Sequence, residues 1–340
     1  MSARWLMNLS FRAEKFGVLL ASVSNSTLLY MLFFKASTSF GAYKHLMICY
    51  TIIEMLYSLI SLGAGMAAHS TDFAYVVFQM NSGFWGRSIA PIFLVDFCGI
   101  YFVLLLILAV HFIYRYFVVC DSKKVELFDG CYLVFWIVVP IVFGCAQAAL
   151  KMIMFAENEY LTDALREPFL LNYNLTMEQI VYNGPIYYVC NSVDECEKPL
   201  APWITMIWIT FSLAVCLCIM SFCCHRTLVK LGRKEPHASI RTVELQKQLM
   251  TALVIQSVIP ICLMYIPIVF LFTSPMFGVS FGPYVNLTMA TLAIYPPVDQ
   301  FAILYVIKDF RTAIRKFFCR SADMSSPQSS VAVFSSKFSI

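Results

Sequence analysis

The longest apolar run in the chain begins at Ile89. From there to Val110 the one charged residue is Asp96, and the run closes in His111-Phe112-Ile113-Tyr114-Arg115-Tyr116-Phe117. As a helix, Ile89 to Arg115 would measure about 39 Å, enough to cross a bilayer at a tilt. Asp96 and Arg115 would then lie about 28 Å apart along the axis, near opposite faces of the membrane. The pattern predicts a central helix with a polar contact at its outer end and a switch residue at its inner end.

Six further runs have the same character: about Ala13–Phe34, His45–Ala68, Phe128–Leu150, Trp203–Cys224, Leu249–Phe272 and Tyr284–Ile307, with the central run third, over 89–114. Runs of about 20 apolar residues are rare in soluble helices. The expected fold is therefore an all-α membrane protein, a seven-transmembrane helix bundle. Pro140, Pro260, Pro267, Pro296 and Pro297 fall inside spans. Neighbouring helices can satisfy the carbonyls that proline frees, so these residues predict kinks, not loops. No internal repeat relates the two halves, which argues against an inverted-repeat transporter.

Composition agrees. Of 340 residues 60% are hydrophobic and 13% charged, against about 25% charged in soluble domains. A net charge of +4 is too small to indicate nucleic acid. The 13 Cys show no paired metal spacing and lie mostly in apolar runs, where Cys behaves as a small hydrophobe. No metal, cofactor or cleavable signal peptide is indicated, and no nucleophile or carboxylate pair has the spacing of an enzyme. The loops at 35–44, 115–129 and 225–248 and the tail from Lys308 together hold 17 of the 24 Lys and Arg. The positive-inside rule places residues 1–12 outside and the tail in the cytoplasm, although Arg4, Arg12 and Lys15 count against this locally.

The one sizeable outer segment is Lys151–Pro202, with eight acids against Lys151, Arg166 and Lys198. It carries the glycosylation sequon Asn174-Leu175-Thr176; Asn8-Leu9-Ser10 is a second candidate close to the bilayer. Cys190 and Cys196 face an oxidising compartment, and a bridge within the loop and two free thiols both fit the spacing.

Four spans share a polar layer. Asn25, Glu54, Gln256 and Asp299 each lie nine or ten positions from a lysine at the inner end of their span, about 14–15 Å into the membrane. An ionisable group at that depth costs about 2.5–3.5 kcal/mol unless paired or hydrated. Glu54 and Asp299 should face the bundle interior, with Asn25 and Gln256 hydrogen-bonding them. Two close carboxylates would not both ionise readily. The layer reads either as a network that rearranges between states or as static glue. At the inner face, Arg115 between Tyr114 and Tyr116 reads as a switch or as a basic anchor in an aromatic belt. Thr242–Leu249 should extend the sixth helix into the cytoplasm and present Glu244, Lys247 and Gln248 to a partner. Ile307, Phe310, Ile314 and Phe317, interleaved with Lys308, Arg311, Arg315 and Lys316, predict a short amphipathic helix on the inner leaflet over 308–320. Cys319 is a candidate for acylation, and the Ser-rich segment 321–340 reads as a disordered tail open to phosphorylation.

Together, HFIYRYF (His111–Phe117), LQKQLMTALVIQSVIP (Leu245–Pro260), YPPVDQ (Tyr295–Gln300) and IKDFRTAIRKFF (Ile307–Phe318) resemble the nematode seven-transmembrane chemoreceptors of the Str superfamily. The resemblance runs from the first span to the helix after the seventh. It implies a G-protein-coupled receptor of chemosensory neurons, several of which detect volatile odorants, at the plasma membrane of the sensory cilium. It implies that Arg115 does the work of the inner third-span arginine of rhodopsin-like receptors. It also implies that Leu245, Gln246 and Gln248 form the inner sixth-span block, and that Tyr295, Pro296 and Asp299 form the seventh-span motif. Where the family usually reads Asp-Pro, this chain has Asp299-Gln300, so the backbone at that bend should differ.

The reading that follows is a receptor that takes a small odorant among the outer halves of its spans and engages a heterotrimeric G protein α-subunit at the inner face. Depth alone selects Phe93, Asp96, Phe97, Gly99–Tyr101, Tyr265 and Phe270 as the pocket, whose aromatic walls suit a small apolar ligand. Asp96 would accept a hydrogen bond or attract a cation, or else simply reach outer water. The alternatives are a secondary transporter or proton carrier using Glu54 and Asp299, and an ion channel.

Overall fold

Seven helices among the described residues are long and apolar enough to cross a membrane. They are α1 (Arg4–Phe34), α2 (Tyr43–Ala64), α3 (Gly86–Cys120), α4 (Cys131–Met154), α6 (Leu200–Gly232), the joined pair α7 (Ile240–Pro260) and α8 (Ile266–Thr273), and α9 (Asn286–Val306). A further helix α5 (Glu159–Tyr173) lies between α4 and α6, and α10 (Lys308–Ser325) follows α9. The structure is a computed structural model. It describes residues 3–36, 40–80, 86–190, 196–233 and 240–325, without the side chains of 88, 240–242 and 317–325.

Burial ranks the helices. In its most apolar window α3 is 67% buried, against 22% for α4. The first is therefore the axis of the bundle, and the second turns Phe135, Val142 and Ile153 outward, as lipid allows. Helices meet where side chains are missing. A Cβ at Gly144 of α4 would lie 2.6 Å from the Gly99 carbonyl oxygen of α3. The helices cross at that point by backbone contact, the small-residue packing that bilayers favour. Gly17 of α1 meets the Ala293 carbonyl of α9 in the same way, with a notional Cβ at 2.1 Å. That carbonyl is four residues before Pro297, which has no N–H to cap it.

The sixth span shows the same logic. Pro260 closes α7, a π-helical turn over Ile261–Tyr265 follows, and α8 begins with Pro267 near its start. Pro267 leaves the Leu263 carbonyl without its helical donor. Thr291 of α9 supplies one, its hydroxyl donating to that oxygen at 3.0 Å. A π-turn adds a residue to the helical circuit and bends the span where it occurs.

The bundle end at which α1 begins carries a small β-sheet absent from the sequence expectation. β1 (Met66–Ser70), β2 (Tyr75–Met80) and β3 (Ile180–Asn183) pair antiparallel, with Ala68 opposite Val77 and Val77 opposite Asn183. The second helix, expected to reach Ala68, stops at Ala64, because Gly65 adopts φ 52° and turns the chain. All five residues of β1 are buried. One face packs under α5, whose Leu161, Leu165, Phe169 and Tyr173 recur every four residues and are wholly buried. The other face, Ala68 and Tyr75, packs on Leu271 and Val285. A strand covered on both faces has no polar alternation to betray it.

Other boundaries shift. The segment expected to precede the first span is helical from Arg4, with Leu6, Met7 and Ser10 buried. α3 continues to Cys120 and α6 to Gly232. α9 runs unbroken through Asp299-Gln300 to Val306. In α10, Phe310 is buried and stacks on Phe40 at 6.0 Å, while Lys308, Arg311, Arg315 and Lys316 are exposed. The Cys319 side chain and residues 326–340 of the tail lie outside the described residues. β4 (Val189–Cys190) and β5 (Cys196–Glu197) are joined by a Cys190–Cys196 disulfide.

Candidate functional site

Three groups of side chains lie in sequence along the bundle. At the end opposite the sheet, α3 delivers Arg115 into a cage. Its side chain is 1% exposed. One guanidinium nitrogen donates to Gln246 Oε1 of α7 at 2.7 Å, and the guanidinium carbon sits 3.7 Å from the centre of the Tyr43 ring of α2. Tyr114 stacks on Tyr43 at 5.9 Å and meets Phe128 edge-on at 5.1 Å. Arg115 has no carboxylate partner among the described residues, and its Nε and second terminal nitrogen have no acceptor there. The charge is held by one amide and an aromatic face, a weaker hold than the bidentate carboxylate pair that arginine geometry favours. Gln248 accepts from the Lys308 backbone N–H at 3.3 Å and its amide donates to Glu244, so the first turns of α7 are tied to α10. Leu245 packs into the same core as Phe40 and Phe310.

In the middle lies the polar layer. Glu54, Asp299 and Gln300 are fully buried. Tyr50 donates to Asp299 Oδ2 at 3.4 Å, and its hydroxyl is 3.4 Å from that of Tyr295. Gln256 faces Asp299. Glu54 accepts from the Gln300 amide. Asn25 departs from expectation. Its amide donates to the Ala21 carbonyl of its own helix at 2.9 Å, and its oxygen has no partner among the described residues. Gln300, noted in the sequence only as a departure from Asp-Pro, takes the place expected of Asn25. Pro296 is buried in α9 beside Tyr295. Sequence reasoning also missed Glu14 of α1, buried and accepting from the Ser61 hydroxyl of α2 at 2.5 Å.

Nearest the sheet is a cavity of about 780 Å³, its mouth included. Its walls come from α3, α6, α8 and α9, with Tyr75 and Val77 of β2. Of the side chains selected by depth, Phe97 and Tyr101 line it. Tyr265 lies beneath, its ring 4.8 Å from that of Tyr101. Phe93, Asp96, Gly99, Ile100 and Phe270 do not line the cavity. Phe270 is 57% exposed on the outside of α8. Asp96 and Phe93 are half-buried and do not line the cavity. Gly99 is consumed by the crossing with α4. The helical turn accounts for this, since residues one position apart point about 100° away from each other.

The charged residue that lines the cavity is Lys151, in the last turn of α4. It is 6% exposed, its ammonium donates to Cys98 Sγ at 2.7 Å, and it lies 5.0 Å from the centre of the Phe272 ring. No carboxylate among the described residues pairs with it. A cation–π contact is worth about 0.5–2 kcal/mol and the end of a helix dipole about 0.3–1 kcal/mol, against several kcal/mol for burying an ion. In the sequence Lys151 looked like the first residue of an outer loop. Only the extension of α4 to Met154 carries it inward.

At the sheet end, Asn174 is exposed at the end of α5, where its φ of 56° terminates the helix. Asn8 is exposed on α1, but the Ser10 hydroxyl of its sequon is buried and donates to the Met7 carbonyl at 2.8 Å.

A seven-helix membrane bundle with a lined cavity at one end and a caged arginine at the other is the architecture of a serpentine receptor. The chain belongs to that class and, within it, to a defined family: residues 10–315 match the model of the serpentine type 7TM GPCR chemoreceptor Str. It is 28% identical to the G-protein coupled receptor str-33 of Caenorhabditis elegans, over 93% of this chain and 92% of that one. It is 26% identical to the serpentine receptor class r-10 of the same organism, over 94% of both chains. The serpentine receptor class r-10 of Caenorhabditis briggsae shares 25%, over 82% of both. The family is one of multi-pass membrane receptors, not of enzymes.

Proposed function

We propose that the chain is a chemosensory, olfactory receptor that binds a small volatile molecule in the cavity at the sheet end and activates a heterotrimeric G protein at the opposite end. In this reading the N-terminus, the sheet and the Asn174 sequon face outside. The caged arginine faces the cytoplasm of a chemosensory neuron, at the plasma membrane of its cilium. The basic face of α10 lies on membrane lipid. The observation that carries the proposal is the path between the two ends of α3. Tyr101 lines the cavity and packs on Tyr265, which closes the π-turn of the sixth span. Arg115, about 21 Å further along α3, holds the inner end of that same span through Gln246.

A ligand shifts such a bundle only by its differential affinity for two states. Pressure on Tyr101 and Tyr265 acts at the bend of the sixth span. Its inner end is held by one charge-assisted hydrogen bond, worth about 1.5–3 kcal/mol. Release of Gln246 frees Arg115, Leu245 and Gln248 to meet the α-subunit. Membership of a receptor family favours this over transport through Glu54 and Asp299.

The test is expression in a heterologous cell with a G-protein readout and an odorant panel. Wild type should respond, and Arg115→Ala, at equal surface level, should lose the response. Arg115→Ala signalling like wild type would remove the coupling role, and current or flux without any G protein would remove the receptor reading.

A further inference from the structure

The cavity holds two polar groups whose needs the fold leaves open, and both point to the chemistry of its occupant. The first is Lys151. It is carried inward by the last turn of α4, is buried beside Cys98 and Phe272, and has no carboxylate partner among the described residues. The second is the Tyr101 hydroxyl, which is buried and has no hydrogen-bond partner among them. Both residues line the same cavity. The rest of the wall is mostly apolar, with Val77, Leu94, Leu213 and Leu292 in it, and Thr210 and Thr273 add neutral hydroxyls. Buried cations in proteins are paired, and buried hydroxyls are bonded. Here an ammonium and a phenol, both donors, face a largely apolar space whose other polar side chains, Cys98, Tyr75, Thr210 and Thr273, are neutral and give the ammonium no counter-charge.

Given the receptor reading of this cavity, we infer that its ligand is a small apolar carboxylate, with the hydrocarbon body among the aliphatic and aromatic walls and the carboxylate accepting from Lys151 and Tyr101. A carboxylate supplies both missing functions at once: a counter-charge for the ammonium and an acceptor for each donor. A neutral hydrocarbon supplies neither. An amine would place a second cation beside the first. The Cys98 thiol, a weak acceptor, is the group the carboxylate would replace at the ammonium.

The experiment uses the purified full-length chain in detergent and pairs of probes that share a skeleton: hexanoate and phenylacetate, each against its methyl ester. Binding is read from the concentration dependence of the melting temperature, since a ligand that binds only the folded state raises it. The acids should bind about 10–100-fold more tightly than their esters, the range of one charge-assisted hydrogen bond. Lys151→Met should abolish that preference and leave ester binding intact, Lys151→Arg should keep it, and Tyr101→Phe should reduce it. Equal affinity for acid and ester, or no shift with either acid, in the wild-type chain overturns the inference, and this comparison needs no variant to fold. So does a Lys151→Met chain that still prefers the acids. Acid-selective binding that depends on Lys151 supports it even if no G-protein response is found in cells. A cellular response to neutral odorants with no acid preference would leave the receptor reading standing and remove this one.

Discussion

Arg115 and Gln246 are 131 residues apart in the chain and 2.7 Å apart in space. The contact joins α3, the most buried of the spans described, to the bent sixth span, at the end of the bundle away from the sheet. Gln246→Leu should therefore raise signalling in the absence of ligand, by about 10-fold if one charge-assisted hydrogen bond is what separates the states. Basal G-protein activity at matched surface level measures it, and a Gln246→Leu chain as quiet as wild type would show that the contact is not a latch.

Glu54 accepts from the amide of Gln300, with the Tyr295 hydroxyl as a second donor beside it. Gln300→Leu keeps the volume and removes that donor, leaving a buried carboxyl with one fewer partner. The loss should be about 1–3 kcal/mol, seen as a lower melting temperature. Replacing both, Glu54→Leu with Gln300→Leu, should cost less than the sum of the single changes, because the orphaned group goes with its partner.

Gly17 and Gly144 are the points where helices touch by backbone. Gly17→Val puts a branched side chain where a Cβ already lies 2.1 Å from the Ala293 carbonyl oxygen. The two helices must separate, at about 1–3 kcal/mol or more. The expected result is loss of surface expression. Gly232→Ala, at the end of α6 with nothing within 4 Å of the added carbon, is the matched control and should express normally.

His69 of β1 is enclosed by Phe169 and Tyr173, and its Nδ1 lies 3.1 Å from the Tyr173 hydroxyl. Burial pushes its pKa down from 6.5 to about 4. The folded chain thus holds fewer protons at this site than the unfolded chain between those values. Stability from this group is complete above pH about 6.5 and falls as pH drops towards about 4, by about 3 kcal/mol in all. Melting curves across that window should show the decline, and His69→Phe should remove its share of the slope. An unchanged slope would mean that the ring is not neutral in the fold.

Asn174→Gln should remove one glycan and sharpen the protein on a gel if the sheet end faces outside. Asn8→Gln should change nothing, because the Ser10 hydroxyl that its sequon requires is occupied at the Met7 carbonyl.

The hydrophobic pattern was enough to locate seven spans and the amphipathic helix, because a bilayer demands long apolar helices whatever they pack against. Depth was legible for the same reason: counting from the lysines put Glu54 and Asp299 in one layer, and both are buried. Direction around the helix was not. α3 is apolar on all sides, so nothing in its sequence distinguishes the face of Phe97 and Tyr101 from that of Asp96. The sheet was hidden because both its faces are covered, and Lys151 looked solvated because it stood next to a polar loop. One dimension was thus set by the solvent, which every residue meets locally. Rotation, partnership and the inward turn of Lys151 were set by neighbours distant in sequence, and no local pattern encodes them.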